Sequence, residues 1–193
     1  MIRDSDSDAC NAVIELINRG RHDEAFQKCR ALAEAGSTCA QVRLGWMYHS
    51  ATGTPKDWLE AESWYRRAIA AGSPESEFYL ASLYSAKLEP QSAVEWFEKS
   101  AQHGYAPAMY HLGRLYLFGA EGVALDEEKA YRYFEDASRA GHLFARRNIA
   151  RRMASGRRGM GQIPHGILLL IGAYCSAMKV GWKNPDSEQI LRL

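Results

Sequence analysis

Small and apolar residues return every fourth position in four separate windows of the chain. Ala40, Leu44 and Tyr48 form the first, Ser76, Leu80 and Tyr84 the second, Ala108, Leu112 and Tyr116 the third, and Ala145, Ile149 and Met153 a weaker fourth. Spacing of i, i+4 and i+8 puts each set on one face of an α-helix. The residue after each central Leu or Ile is Gly45, Ala81, Gly113 or Ala150, small enough for a neighbouring helix to approach closely. The windows follow one another at steps of 36, 32 and 37 residues. Periods of that length predict stacked helical hairpins.

A second helical pattern follows each window. It carries Ala61 with Trp64 and Tyr65, Ala93 with Trp96 and Phe97, and Ala130 with Tyr133 and Phe134. Asp57 and Asp126 stand where an N-cap carboxylate accepts orphan amides. Gly72, Gly104 and Gly141 stand where a left-handed residue ends a helix. Gly53 and Gly122 fall in the turns between the two helices, and the second unit has "KLEPQS" (87–92) there instead. The stretch 10–36 predicts a further hairpin at the start, and a last helix is expected near 164–179, beginning at Pro164. A lone hairpin cannot bury its own apolar stripe, so each must stack on the next. The six aromatic residues of the second helices are therefore assigned to packing.

The order Ala, Leu-Gly-x-x-Tyr, Gly turn, Asp, Ala-x-x-aromatic pair, Ala-x-x-Gly resembles the Sel1-like repeat family. The stretch "GVALDEEKAYRYFEDASRAG" (122–141) fits closely, and "GTPKDWLEAESWYRRAIAAG" (53–72) fits well. The resemblance covers about residues 37–155. It implies an all-α fold, a right-handed α/α solenoid of about five helical hairpins with a C-terminal apolar capping helix. The expected divisions are an N-terminal hairpin at 1–36, repeats at 37–72, 73–104 and 105–141, and a degenerate repeat with a capping segment at 142–193. It further implies a non-catalytic scaffold or adaptor.

Charge changes the picture at one end. Residues 1–141 hold 15 Lys/Arg against 21 Asp/Glu, whereas 142–193 hold 9 against 2. The stretch "ARRNIARRMASGRRGMG" (145–161) has six arginines, and 163–182 is largely apolar, with 13 uncharged residues from Gly166 to Met178. The alternative reading is a membrane-associated chain, using the Arg-rich 146–158 stretch and the apolar 163–182 tail at a lipid surface. No nucleic-acid motif accompanies the arginines, so nucleic acid is not the expected partner. Cys10, Cys29, Cys39 and Cys175 are irregularly spaced, without a CxxC pair. They are expected as reduced, buried thiols, which together with the acidic N-terminus favours a cytoplasmic location.

A partner must use positions that stacking leaves free. Counting 100° per residue from the central Leu, positions −2 and +2 fall away from the core. They and the border position −1 nominate Val42, Trp46, Phe78, Tyr79, Tyr110, His111, Arg114, Arg147 and Arg151. Aromatic residues and Arg are the types that anchor interfaces. The expected surface is a concave wall of first helices with an aromatic floor and an Arg end, holding a protein segment. The competing reading is that Phe78 and Tyr110 pack against the preceding hairpin. A homodimer through the C-terminal helix is a further expectation. No P-loop, GxGxxG, HExxH or Ser-His-Asp order is present. No enzyme, cofactor or metal site is expected.

Overall fold

The computed structural model describes residues 2–119 and 122–154, with side chains from residue 8 onward. Nine helices occur among these residues: α1 (Ile2–Asn18), α2 (His22–Glu34), α3 (Thr38–Ser50), α4 (Trp58–Ala70), α5 (Pro74–Ala86), α6 (Pro90–Gln102), α7 (Ala106–Phe118), α8 (Glu127–Arg139) and α9 (Leu143–Ala154). They fall into two compact units, one ending at His103 and one beginning at Gly104. The first holds the hairpins α1–α2, α3–α4 and α5–α6. The second holds α7–α8 and α9. In each hairpin the earlier helix is called helix A and the later one helix B.

Local chemistry sets the helix ends. Asp57 accepts from the amides of Leu59 and Glu60, and Asp126 from that of Lys129. Ser37 and Ser73 cap α3 and α5 by accepting from Ala40 and Ser76. At the far end of α8, Gly141 takes φ +89°, where its amide reaches Ser138 O and the next amide, of His142, reaches Ala137 O. This paired arrangement satisfies two of the last carbonyls and turns the chain into α9.

Packing rests on close approach of helix A to helix B. A Cβ built on Gly45 would stand 2.6 Å from Tyr65 Cε1, and one on Gly113 would stand 2.6 Å from Phe134 Cε1. Hydrogen in place of a side chain lets each fully buried ring approach the helix A backbone at this point. In the α5–α6 hairpin Ala81 takes the glycine's place and is itself fully buried. The first unit's core gathers Val13, Phe26, Leu44, Met47 and Trp64 in one cluster and Tyr65, Leu80 and Leu83 in another. The second unit's core is built around Tyr131, Phe134, Ala145 and Ile149. Trp96 and Tyr133 are only half-buried. Trp96 lies under Lys99 at 3.9 Å, and Tyr133 stacks on Tyr116 at 5.9 Å.

Three expectations are corrected. Cys10 and Cys39 are not thiols: they form a disulfide between α1 and α3. The N-terminal hairpin brings their Cα atoms to 6.4 Å, within bridging reach. Cys29 does remain a thiol, buried and donating to Ala40 O at 3.3 Å, and burial pushes its pKa up to about 12. Val42, nominated as a surface residue, is only 4% exposed. Helix α3 packs against α1, α2, α4 and α5, so more of its circumference is covered than a single-stripe projection allows. Arg152, counted with the exposed basic run, is buried at 8% exposure. It pairs with Glu128 and lies 4.1 Å from the Tyr131 ring centre. No helix among the described residues is long and apolar enough to cross a membrane. The helix expected at 164–179, the apolar 163–182 tail and the C-terminal dimer contact lie outside the described residues.

Candidate functional site

Helix A and helix B carry different charge. Among the described helices α3, α7 and α9, all helices A, there is no Asp or Glu. Helix α5 has Glu75 and Glu77, and Glu77 is buried against His103 Nδ1 at 2.8 Å. The helices B carry the carboxylates, with Glu60 and Glu62 on α4, Glu95 and Glu98 on α6, and Glu127, Glu128, Glu135 and Asp136 on α8. The surfaces of α3, α7 and α9 are therefore neutral to cationic, whereas α1, also a helix A, is acidic in sequence, with three Asp and one Glu.

In the first unit the structure brings together Phe78 and Tyr79 on α5. Their rings meet edge-on at 5.5 Å, Phe78 also lies 5.5 Å from Phe97, and Tyr79 stacks on Tyr65 at 5.8 Å. Phe78 thus packs on helix B of its own hairpin. Both rings remain half-exposed. Burial raises the Tyr79 pKa, with Glu75 adding to the shift and Arg43 opposing it. Arg43 also lies 5.9 Å from the Trp46 ring centre on α3, so these residues place one cation beside half-exposed aromatic rings.

In the second unit Tyr110 is the centre. Its ring lies 5.7 Å from Phe134 in its own hairpin, stacks on His142 at 4.4 Å with planes 21° apart, and stands 6.3 Å from Phe144. Arg114 is one turn along α7 from Tyr110. On α9 the Arg147 guanidinium is 5.4 Å from the Phe144 ring centre, and Arg151 follows one turn later. Arg147 and Arg151 are exposed and Arg114 is half-buried. Among the described residues, none of the three is within ion-pair distance of a carboxylate. His111 lies beside them. Burial foremost, then the charges of Arg114 and His142, lower its pKa to about 4, so it is neutral at pH 7. Burial also lowers the pKa of His142.

Sequence reasoning missed Phe144 and His142, which join α7 to α9. The available signal was an aromatic residue three positions after Gly141, next to the arginines. Arg43 occupies the same border position as Tyr79 and His111 but was not nominated with them.

The Sel1 repeat family model matches residues 40–73, 74–105 and 106–142, more than half of the chain. An exopolysaccharide production negative regulator of Rhizobium meliloti is 27% identical over 144 residues, covering 65% of this chain and 53% of that protein. A component of an ERAD-associated E3 ubiquitin-protein ligase of Arabidopsis thaliana is 32% identical over 114 residues, covering 58% of this chain and 18% of that protein. The chain thus spans about half or less of these two relatives. Among solved structures, a protective antigen of uropathogenic Escherichia coli matches with a TM-score of 0.67 at 25% identity, covering 89% of this chain and 38% of the other. A Sel1 repeat protein from Oxalobacter formigenes matches with a TM-score of 0.69 at 24% identity, covering 86% and 72%. The fold is that of the right-handed α/α solenoids.

Proposed function

The chain belongs to the Sel1 repeat family, whose members are in general protein–protein interaction scaffolds, and from that premise we propose that it is a non-catalytic adaptor holding a protein segment on its helices A. One observation carries the reading: Trp46, Phe78, Tyr79 and Tyr110 pack one side on the core and keep part of their surface exposed, beside Arg114, Arg147 and Arg151, which pair with no carboxylate among the described residues. Core residues of these helices are already buried on the opposite side, as Leu44, Leu80 and Leu112 show at 0% exposure. Trp46, Phe78 and Tyr79 form the contact surface of the first unit. Tyr110, His111, Arg114, Arg147 and Arg151 form that of the second. Val42 is left out because it is core.

Regulatory or assembly roles are named for the relatives, and this chain fits the same kind of work through binding, without a reaction of its own. The Cys10–Cys39 disulfide removes the argument from reduced thiols for a cytoplasmic address, since such bonds persist in oxidising compartments.

The test is a quantitative affinity capture from the native cell extract, comparing the full chain with a Tyr110→Ala/Arg114→Ala variant. Helix content measured by circular dichroism should match between the two. Loss of one or more specific partners in the variant supports the reading. Equal capture by both proteins, with folding intact, would sink the assignment of this surface.

A further inference from the structure

The second unit holds a continuous line of side chains in which packed aromatic rings are flanked by arginines without a carboxylate partner among the described residues. Arg114 and Tyr110 are one helical turn apart on α7, about 6 Å of rise. Tyr110 meets Phe144, Phe144 meets Arg147, and Arg147 and Arg151 are again one turn apart on α9. The line thus places two arginines beyond one end of an aromatic pair and a third beyond the other. Arginines facing no carboxylate, two of them exposed and Arg114 half-buried, repel one another, and an anion laid across them would relieve that repulsion.

We propose that the α7–α9 face of the second unit binds an acidic peptide segment of another protein, carboxylates on Arg114, Arg147 and Arg151, and an apolar side chain on the Tyr110–Phe144 rings. This rests on the adaptor reading above and states the chemistry of its partner. An extended strand rises about 3.3 Å per residue, so carboxylates two residues apart stand about 6.6 Å apart, close to the one-turn step from Arg147 to Arg151. A Glu-x-Glu spacing therefore meets both arginines, and Arg forms two parallel bonds to each carboxylate.

Two other anionic partners fit less well. A face of Tyr110 is taken by the His142 ring, which removes a platform for a nucleic-acid base. Helix α8 packs against both α7 and α9 and carries Glu127, Glu128, Glu135 and Asp136, all within the same small unit. Such carboxylates oppose a long polyanion or a lipid surface, whose charge extends past one Debye length of about 10 Å, more than they oppose a segment with two or three carboxylates.

The experiment uses the full chain and a fluorescein-labelled ten-residue peptide of alternating Glu and Ser with one central Phe, read by fluorescence anisotropy. Comparison probes are the same peptide with Gln for Glu, a single-stranded oligonucleotide, and vesicles containing phosphatidylserine. The expected result is binding of the acidic peptide that weakens with salt and is weakened about tenfold or more by Arg147→Glu/Arg151→Glu. Both side chains are exposed, so folding should survive, and circular dichroism checks it. Arg67→Glu/Lys99→Glu, on helices B of the first unit, should leave binding unchanged. The proposal is overturned if the two double variants lose affinity equally, if neither does, if the Gln peptide binds as well, or if the oligonucleotide or the vesicles bind more tightly than the peptide. Competition separates it from the adaptor reading. A partner whose capture depends on Tyr110 and Arg114 but is not displaced by the acidic peptide removes this inference and leaves the adaptor standing. Capture that ignores Tyr110 and Arg114 removes the adaptor surface whatever the peptide does.

Discussion

At the scale of single residues the fold depends on where a side chain is missing. Gly113 faces Phe134 so closely that an added Cβ would meet the ring at 2.6 Å and Ala130 O at 3.0 Å. Helix propensity alone says that Gly113→Ala should stabilise by about 1 kcal/mol. Overpacking opposes it, at about 1–3 kcal/mol, because the backbone oxygen cannot move aside as a flexible side chain could. The second effect should win, so Gly113→Ala is expected to lower the urea midpoint. A raised midpoint would show that the ring has room to shift. Ala81, at the equivalent place in the α5–α6 hairpin, already carries a methyl group and is fully buried. Such positions were legible in the sequence because Leu44-Gly45 and Leu112-Gly113 recur at fixed local spacing. Val42 was not. A 100° projection finds the face opposite Leu44 but cannot tell how many neighbouring helices cover it.

At the scale of elements, one carboxylate ties helix α4 to α5. Glu62 accepts from Tyr84 Oη at 2.9 Å, Lys87 Nζ at 2.8 Å and Arg66 at 2.9 Å, while Arg66 also donates to Tyr84 Oη at 3.0 Å. Desolvation pushes the Glu62 pKa up, but the hydrogen bonds from Lys87, Arg66 and Tyr84 outweigh it and hold the value at about 2, below its ordinary 4.5. A carboxyl depressed on folding stabilises the native state at pH above its unfolded value, and that contribution is lost as pH falls from about 4.5 towards 2. Because Arg66 is half-exposed, solvent screening limits the network to about 1 kcal/mol. Glu62→Gln should therefore unfold at lower urea than the parent at pH 7, with the gap narrowing steadily as pH falls from about 4.5 to about 2. A gap of constant size over that range would mean that packing, not charge, is what Glu62 supplies. The pairing of α4 with α5 follows from the hairpin period. The network does not, since Glu62, Tyr84 and Lys87 are 22 and 25 residues apart and nothing local marks them as partners. Arg152 is the same case in the second unit: its partner Glu128 lies 24 residues earlier, and nothing local marks the two as a pair.

At the scale of the chain, the repeat explains the three hairpins that the family model matches, and something else must secure the hairpin before them. Helices α1 and α2 precede the matched residues 40–142, and α2 begins without a side-chain cap. Their apolar side chains do reach α3: Val13 and Phe26 share a cluster with Leu44 and Met47. The Cys10–Cys39 bond adds a covalent tie across a separation of 29 residues. Closing a loop of that size removes unfolded-state entropy worth about 3–4 kcal/mol. A reducing agent, or Cys39→Ser, should therefore lower the thermal midpoint of the first unit, and the loss should begin in α1, where hydrogen-exchange protection would fall first. Cys29 gives an internal control. It is a buried thiol with a raised pKa and slow reactivity, so alkylation of the unreduced native protein should leave it largely unmodified. Mass spectrometry showing free thiols at Cys10 and Cys39 in protein taken from its native compartment, with α1 still protected, would mean that the hairpin holds by packing alone.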